Sequence, residues 1–151
     1  MDFAARPRVL VVDDEPDIVQ GLVSFLQTSV GADVVSARSG PDGLKALRAA
    51  PVDLVISDYK MPGMDGMQFL SEAKKVQPDA ARIMMTAYAD LDLALQALNE
   101  ARILHFFTKP FDPDQVSEVV AAIVRAQAAR RQLDEALRRS VEQMKRQRRE
   151  R

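Results

Sequence analysis

Five short apolar runs alternate along this chain with longer segments of helical pattern. The runs occupy residues 9–12, 34–37, 52–57, 83–85 and 103–108, and they are rich in β-branched, sulfur-containing or aromatic side chains. Their apolar character is nearly continuous, which is typical of strands that are buried on both faces. Strand and helix alternating five times predict an α/β fold, a doubly wound five-stranded parallel sheet with helices on both faces.

Helix signals fill the segments between the runs. The first helix is predicted from Glu15 to about Ser29, and the second begins at Ser39. The third ends at about Val76, and the fourth and fifth begin at Asp90 and Asp112. Ser39 and Asp112 are helix-capping residue types that stand just before a proline near the first helical position. In the fourth helix the leucines at 91, 95 and 98 are expected to face inward.

Acidic, hydroxyl and basic residues stand where four of the apolar runs end. Asp13 and Asp14 follow the first run, Asp58 the third, Thr86 the fourth and Lys109 the fifth. The carboxyl ends of parallel strands share one edge of the sheet, and ligands bind at that edge. The sequence therefore predicts that three carboxylates, a hydroxyl and an ammonium group meet there.

These side-chain types together favour phosphoryl chemistry. Three carboxylates in a small space repel one another unless a cation lies among them. Mg²⁺ prefers oxygen ligands and takes only a few of them from a protein. Lys109 and Thr86 can then bind two oxygens of a phosphoryl group, and Asp58 is expected to be the nucleophile that forms an acyl phosphate.

The chain resembles the receiver domain of two-component response regulators, which has a flavodoxin-like fold. The resemblance covers roughly residues 7 to 124 and rests on four elements in the same order. These are Asp13-Asp14, the segment 58–66 (DYKMPGMDG), Thr86-Ala87, and Lys109-Pro110-Phe111. Each element alone is common, but four together, each at a predicted strand end, are specific.

The resemblance implies a role for each site residue. Asp58 would accept a phosphoryl group from a phosphohistidine on a sensor histidine kinase or phosphotransfer protein. Asp14, Asp58 and the backbone carbonyl of Lys60 would bind Mg²⁺ directly, and Asp13 would act through a water molecule. Lys109 would contact the phosphoryl group. The chain would be a signalling protein rather than an enzyme, with at most self-catalysed phosphorylation and dephosphorylation.

A switch pair is implied as well. Thr86 would move toward the phosphoryl group, and Phe106, three residues before Lys109, would turn inward. The family often has tyrosine at that place, so the inward state of Phe106 gains packing but no hydrogen bond. The Lys109–Pro110 peptide bond is a candidate for the cis isomer.

Other polar residues have simpler interpretations. Paired aspartates at a strand end also serve as turns or helix caps. Asp17, Asp53 and Asp65 are expected to be turn, cap or first-turn residues, and His105 a packing residue within its strand. For Lys60 and Tyr88 two interpretations stay open: a surface side chain, or an influence on the lifetime of the acyl phosphate.

Composition bounds the class of protein. With 151 residues the chain has room for one domain, and because it has no cysteine it can form neither a disulfide nor a thiolate metal site. No stretch approaches the roughly 20 apolar residues that cross a bilayer. The N-terminus lacks the features of an export signal, so a cytoplasmic location is expected.

Charge divides the chain into a domain over residues 1–124 and a helical extension over residues 125–151. The first part has 11 Lys and Arg against 18 Asp and Glu, and the second has 10 against 4. A helix is predicted from about 113 to 148, since neither glycine nor a further proline follows. Its outer part carries the apolar stripe Leu133, Leu137, Val141 and Met144, although Arg130 and Ser140 interrupt the heptad pattern.

We expect this helix to form a homodimer as a parallel coiled coil or to relay a signal. Its basic end, residues 145–151, has no interleaved aromatics, which favours a solvated linker over a nucleic-acid contact. The chain is expected to be either a free-standing regulator or the receiver and linker of a longer regulator with a DNA-binding, cyclic-dinucleotide or kinase output.

Two other functions fit the sequence less well. A phosphatase with an aspartyl-phosphate intermediate would carry Asp-x-Asp after the first strand, whereas this chain has Val12-Asp13-Asp14-Glu15. A flavin-binding protein would have Ser, Thr or Gly in a first loop that is acidic here.

Overall fold

All five strands belong to one parallel sheet. The computed structural model describes residues 6–90, 92, 95 and 102–150. The strands are Arg8–Val12 (β1), Asp33–Ala37 (β2), Leu54–Asp58 (β3), Ala81–Ala87 (β4) and His105–Lys109 (β5), in the order β2-β1-β3-β4-β5. The predicted α/β fold with a parallel sheet is confirmed, and β1, β3 and β4 lie in its interior.

Four helices are described in full. They are Pro16–Ser29 (α1), Gly40–Ala49 (α2), Gly66–Val76 (α3) and Pro113–Arg149 (α4), and a short 3-10 turn spans Tyr88–Asp90. The helix predicted from Asp90 lies largely outside the described residues; Asp92 and Leu95 within it are helical. Leu95 is 48% exposed, so the prediction that it faces inward is wrong.

Two apolar cores lie on opposite faces of the sheet because side chains alternate along each strand. Val9 and Val11 of β1 pack with α1 and α4 on one face. Leu10 and Val12 pack with α2 and α3 on the other. Helices on both faces bury all four side chains, which explains why the strands read as continuous apolar runs.

Capping side chains begin three of the helices. The Ser39 side chain accepts a hydrogen bond from the backbone N–H of Asp42, and that of Asp112 accepts one from Asp114. Asp65 and Gln68 form a reciprocal capping box at the start of α3. The prediction that Asp65 is a cap is therefore confirmed.

The start of α3 lies directly against the end of β3. A Cβ atom at Gly66 would lie 2.1 Å from the backbone oxygen of Asp58 and 2.8 Å from the Cα of Tyr59. The N–H of Gly66 donates a hydrogen bond of 2.7 Å to the carbonyl of Tyr59. Only glycine fits this approach without a shift of the backbone, so Gly66 helps to set the position of Asp58.

The last helix extends well past the sheet. Val116, Val120 and Val124 are buried, whereas residues 132–150 are exposed throughout. Gln127 and Arg131 still contact the sheet edge beyond the domain limit predicted at residue 124, which stays a prediction. None of the described helices is long and apolar enough to cross a membrane.

Candidate functional site

Three carboxylates converge at the carboxyl edge of the two neighbouring strands β1 and β3. Val12 and Ser57 are paired in the sheet, so Asp13 and Asp58, which follow them, lie side by side. One side-chain oxygen from each of Asp13, Asp14 and Asp58 lies within 4.8 Å of the others. Asp13 is fully buried, Asp58 is 6% exposed and Asp14 is half-buried.

An ammonium group bridges two of these carboxylates. The Nζ atom of Lys109, at the end of β5, lies 3.0 Å from Oδ2 of Asp13 and 3.1 Å from Oδ1 of Asp58. The Lys109–Pro110 peptide bond is cis, as predicted. The structure thus brings together four of the residues that the sequence placed at one edge.

The cluster contains more negative than positive groups, with three carboxylates and one ammonium group among the described residues. Burial and the nearby charge of Asp13 raise the pKa of Asp58 from 3.8 to about 6, although Lys109 opposes the shift. Burial lowers the pKa of Lys109, but its hydrogen bonds to Asp13 and Asp58 outweigh burial and raise that pKa overall. An additional cation at this position would stabilise the ionised form of Asp58.

The two oxygens of the Asp13 carboxylate make different contacts. Its Oδ1 atom accepts a hydrogen bond of 3.0 Å from the N–H of Glu15, while Oδ2 faces Lys109. Glu15 is the N-cap of α1 and provides no side-chain cap of its own. Asp13 therefore shapes the turn before α1 and belongs to the acidic cluster as well.

Thr86 and Phe106 lie on the same face of the sheet. Thr86 pairs with Thr108 and Met84 with Phe106, so Thr86 and Phe106 are diagonal neighbours on β4 and β5. Thr86 is fully buried and its hydroxyl donates to the carbonyl of Ala87 at 3.2 Å. Phe106 is partly buried against the core beneath α2 and α3.

Lys60 forms an ion pair that the sequence did not indicate. Its Nζ atom lies 3.3 Å from Oδ1 of Asp90, and the side chains are 75% and 17% exposed. The pair joins the loop after β3 to the turn after β4. This ion pair does not decide between the two interpretations of Lys60, a surface side chain or an influence on the acyl phosphate, and the side chain of Tyr88 lies outside the described residues.

Asp53 and His105 occupy structural positions. The Asp53 carboxylate accepts the N–H of Arg8 at 2.9 Å, as a turn residue would, but it also pairs with Arg131 of α4. The pair between Asp53 and Arg131 could not be predicted from the sequence, because Arg131 lies in the part of the helix that was expected to project into solvent. His105 lies in the edge strand β5, with its ring edge-on to Phe107 at 5.0 Å, as expected for a packing residue.

The donor set of the acidic cluster fits a hard divalent cation. All three candidate ligands offer carboxylate oxygens, and no nitrogen or sulfur ligand belongs to this group among the described residues. Oxygen-only sites of this kind suit Mg²⁺ rather than Zn²⁺.

Comparison with known proteins agrees with this geometry. A family model described as the response regulator receiver domain matches residues 9–121. Transcriptional regulatory protein GlrR of Escherichia coli (strain K12) is 41% identical over 112 residues, which cover 74% of this chain and 25% of GlrR. C4-dicarboxylate transport transcriptional regulatory protein DctD of Rhizobium meliloti (strain 1021) is 33% identical over 142 residues, 93% of this chain and 30% of DctD. The chain thus spans less than a third of the length of these curated relatives.

Solved structures show the same fold. The signal receiver domain of an HD domain-containing protein from Pseudomonas fluorescens Pf-5 has a TM-score of 0.78 and 30% identity, covering 87% of this chain and 96% of that one. A CheY-like response regulator receiver domain protein from Methanospirillum hungatei JF-1 has a TM-score of 0.76 and 29% identity, covering 83% and 98%. By its matched length, its fold and its acidic strand ends, the chain belongs to the response regulator receiver domain family.

Proposed function

We propose that Asp58 is the phospho-acceptor of this receiver domain and takes a phosphoryl group from a phosphohistidine on a sensor histidine kinase or phosphotransfer protein. The observation that carries the proposal is the cluster at the end of β3. There the Asp58 carboxylate lies among two further carboxylates and 3.1 Å from the Lys109 ammonium. Family membership supports a phosphorelay role, and the geometry supports Asp58 as the acceptor.

The proposed step exchanges one bond for another. An oxygen of the Asp58 carboxylate attacks phosphorus, the phosphorus–nitrogen bond of the donor breaks, and its electron pair leaves on the imidazole nitrogen. Lys109 stays in place to neutralise charge on the phosphoryl oxygens, and Thr86 can donate its hydroxyl to one of them. The transfer needs mainly positioning and charge neutralisation from the protein.

Mg²⁺ is the cofactor that we propose for the acidic cluster. Asp14 and Asp58 would provide carboxylate oxygens, Lys60 its backbone carbonyl, and Asp13 would act through a water molecule. When bound, Mg²⁺ supplies positive charge that offsets the repulsion among the carboxylates and the incoming phosphoryl group. Burial and, after it, the nearby charge of Asp13 raise the pKa of Asp58, and a bound cation would offset both effects, which supports this assignment.

Intact-mass measurement after treatment with phosphoramidate tests the acceptor. Wild type should gain one phosphoryl group when Mg²⁺ is present and much less in EDTA. Asp58→Asn should gain none, because the amide cannot form an acyl phosphate. Asp17→Asn is the matched control, since Asp17 is an exposed first-turn residue of α1. Equal labelling of the Asp58→Asn and Asp17→Asn proteins would refute the proposal.

Thr86 and Phe106 are the proposed switch. Their diagonal placement on one sheet face supports a coupled movement, in which Thr86 turns toward the phosphoryl group and Phe106 fills the vacated space. Thr86→Ser keeps the hydroxyl and Thr86→Ala removes it. Beryllofluoride, a phosphoryl mimic, should change amide exchange in β5 of wild type and Thr86→Ser, but not of Thr86→Ala. The same change in all three proteins would exclude Thr86 as the switch.

We propose that the switch controls a transcriptional output and a homodimer formed through α4. The relatives GlrR and DctD are named as transcriptional regulatory proteins, and the match to DctD extends over 142 residues. This supports a receiver that passes its state to a transcriptional output through α4. Leu133, Leu137, Val141 and Met144 are 43–59% exposed along that helix, which supports a homodimer that buries them.

A further inference from the structure

Three side chains of α4 contact the edge of the sheet opposite the phospho-acceptor site. Asp53 and Asp79 precede β3 and β4, and Arg8 begins β1, so all three lie at the amino edge. Gln127, Arg130 and Arg131 of α4 reach this edge. We propose that these three residues, the basal clasp, hold α4 against the domain through residue 131 and fix the direction in which residues 132–149 project.

Gln127 uses both hydrogens of its side-chain amide in the clasp. Its Nε2 atom donates to the carbonyl of Asp53 at 2.8 Å and to the carbonyl of Asp79 at 2.7 Å. One side chain thus joins α4 to the segments that lead into two neighbouring strands. A hydroxyl or a carboxylate at this position could not reproduce both donations.

Arg131 pairs with a buried carboxylate. The Asp53 side chain is 7% exposed, with Oδ2 accepting the N–H of Arg8 and Oδ1 paired with Arg131. A buried carboxylate needs a positive partner or several donors to stay ionised. Because Asp53 also bonds Arg8 and Ala81 through its backbone, the pair ties α4 to the centre of the sheet.

Arg130 contributes less than the other two. It lies 2.7 Å from Asp79, but the Asp79 side chain is 85% exposed, and solvent screens such a pair. Arg130 also occupies a position where the heptad pattern of the outer helix would want an apolar residue. Because Arg130 pairs with Asp79, its guanidinium group lies against the domain.

The clasp continues the face of α4 that packs on the core. Val116, Val120, Val124, Gln127 and Arg131 follow one another at helical spacings of three and four residues. At 100° per residue, the stripe from Leu133 to Met144 lies roughly a quarter turn around the helix from this face. When the clasp holds the helix, the stripe therefore points to one side of the face that packs on the domain and does not contact the domain. This inference depends neither on phosphorylation nor on dimerisation.

Distances between two spin labels test the clasp. The chain has no cysteine, so Lys45→Cys in α2 and Gln143→Cys in α4 give two unique, exposed labelling sites. The labelled protein is diluted into an excess of unlabelled chain so that only distances within one molecule are measured. The two main contacts of the clasp are removed by Gln127→Glu with Arg131→Gln, which leaves only the exposed Arg130–Asp79 pair. The matched control is Gln132→Glu with Arg138→Gln, the same changes at exposed positions of the same helix.

The expected result is a narrow distance distribution for wild type and the control, and a broadened, shifted distribution for the clasp variant. Circular dichroism of the variants checks that the domain and helix are retained; neither Gln127 nor Arg131 belongs to the apolar core. If the clasp variant keeps the narrow distribution of wild type, packing through Val124 alone sets the direction of α4 and the inference is overturned. A broad distribution for wild type would overturn it as well.

Discussion

The charge at the end of β3 is set by individual side chains. Three carboxylates share the cluster with one ammonium group among the described residues, and the two most buried of them are the ones that Lys109 contacts. Burial and, after it, the negative charge of Asp13 raise the pKa of Asp58. Carboxylates arranged for function commonly destabilise the fold in this way, since their mutual repulsion is relieved only by a proton or a cation.

Replacing Asp58 with asparagine should therefore stabilise the metal-free protein at neutral pH. The folded-state pKa of about 6 lies above the ordinary 3.8, so the folded protein binds more protons than the unfolded chain between these values. The free energy of unfolding of wild type should fall as the pH rises through this window, and Asp58→Asn should escape that loss. At pH 7 the variant gains up to about 3 kcal/mol, and the difference vanishes below about pH 3.5.

Urea unfolding in EDTA across this pH range measures the effect. Added Mg²⁺ should stabilise wild type more than Asp58→Asn, because the variant loses one proposed ligand. A variant that is less stable than wild type at pH 7 would show that favourable contacts stabilise the ionised Asp58 more than burial and repulsion destabilise it.

Lys109→Gln should have the opposite effect. Without its ammonium group the buried carboxylate of Asp13 and that of Asp58 lose their shared partner, at a cost of about 3 kcal/mol at pH 7. Lys45→Gln, at an exposed position of α2, should change the free energy of unfolding by no more than about 0.5 kcal/mol. The comparison is again urea unfolding in EDTA. Equal stability of the two variants would mean that Lys109 does not offset the charge of the cluster.

At the scale of elements, the junction of β3 and α3 sets the geometry of the acceptor. Gly66→Ala should lower the free energy of unfolding by about 1–3 kcal/mol, since the new methyl group meets the backbone of Asp58 and Tyr59. It should also slow labelling by phosphoramidate, because the backbone of Asp58 must move.

Gly21→Ala is the matched control. Nothing lies within 4 Å of a Cβ atom at Gly21, in the middle of α1, so this variant should gain about 0.5–1 kcal/mol. Thermal unfolding and labelling rates measured side by side separate the two sites. A Gly66→Ala protein that matches wild type in both would show that the β3–α3 junction tolerates a side chain.

The strands and most helices follow from local patterns. Buried apolar runs predicted the strands, and Ser39, Asp65 and Asp112 cap helices as their residue types suggest. Parallel strands bring their carboxyl ends together, so the meeting of Asp13, Asp58 and Lys109 could be predicted without coordinates. The Lys60–Asp90 pair could not, because loop residues carry no periodicity that relates them across the chain.

At the scale of the whole molecule, α4 carries both the basal clasp and the exposed stripe. Its length and its projection were predictable from the absence of helix breakers after Pro113. Its attachment beyond residue 124 was not, since Gln127 and Arg131 read as ordinary surface residues until their partners on the sheet edge are known.

If α4 dimerises through the stripe, a charged side chain within the stripe should weaken the dimer. Leu137→Glu places two carboxylates in the seam and removes two leucines from it, so the dimer dissociation constant should rise by roughly a hundredfold or more. Gln143→Glu, which lies off the stripe, is the control. Multi-angle light scattering with and without beryllofluoride should find the phosphoryl mimic favouring dimers of wild type and of the control. Monomers in every sample would contradict the dimer.

The position of the phosphoryl group on the protein can be measured directly and tests whether Asp58 is the acceptor. After labelling in Mg²⁺, borohydride reduces an aspartyl phosphate to homoserine, and peptide mass spectrometry identifies the altered residue. We expect homoserine at position 58 and unmodified Asp13, Asp14 and His105. Modification at any of these three positions instead of 58, or at none, would contradict it.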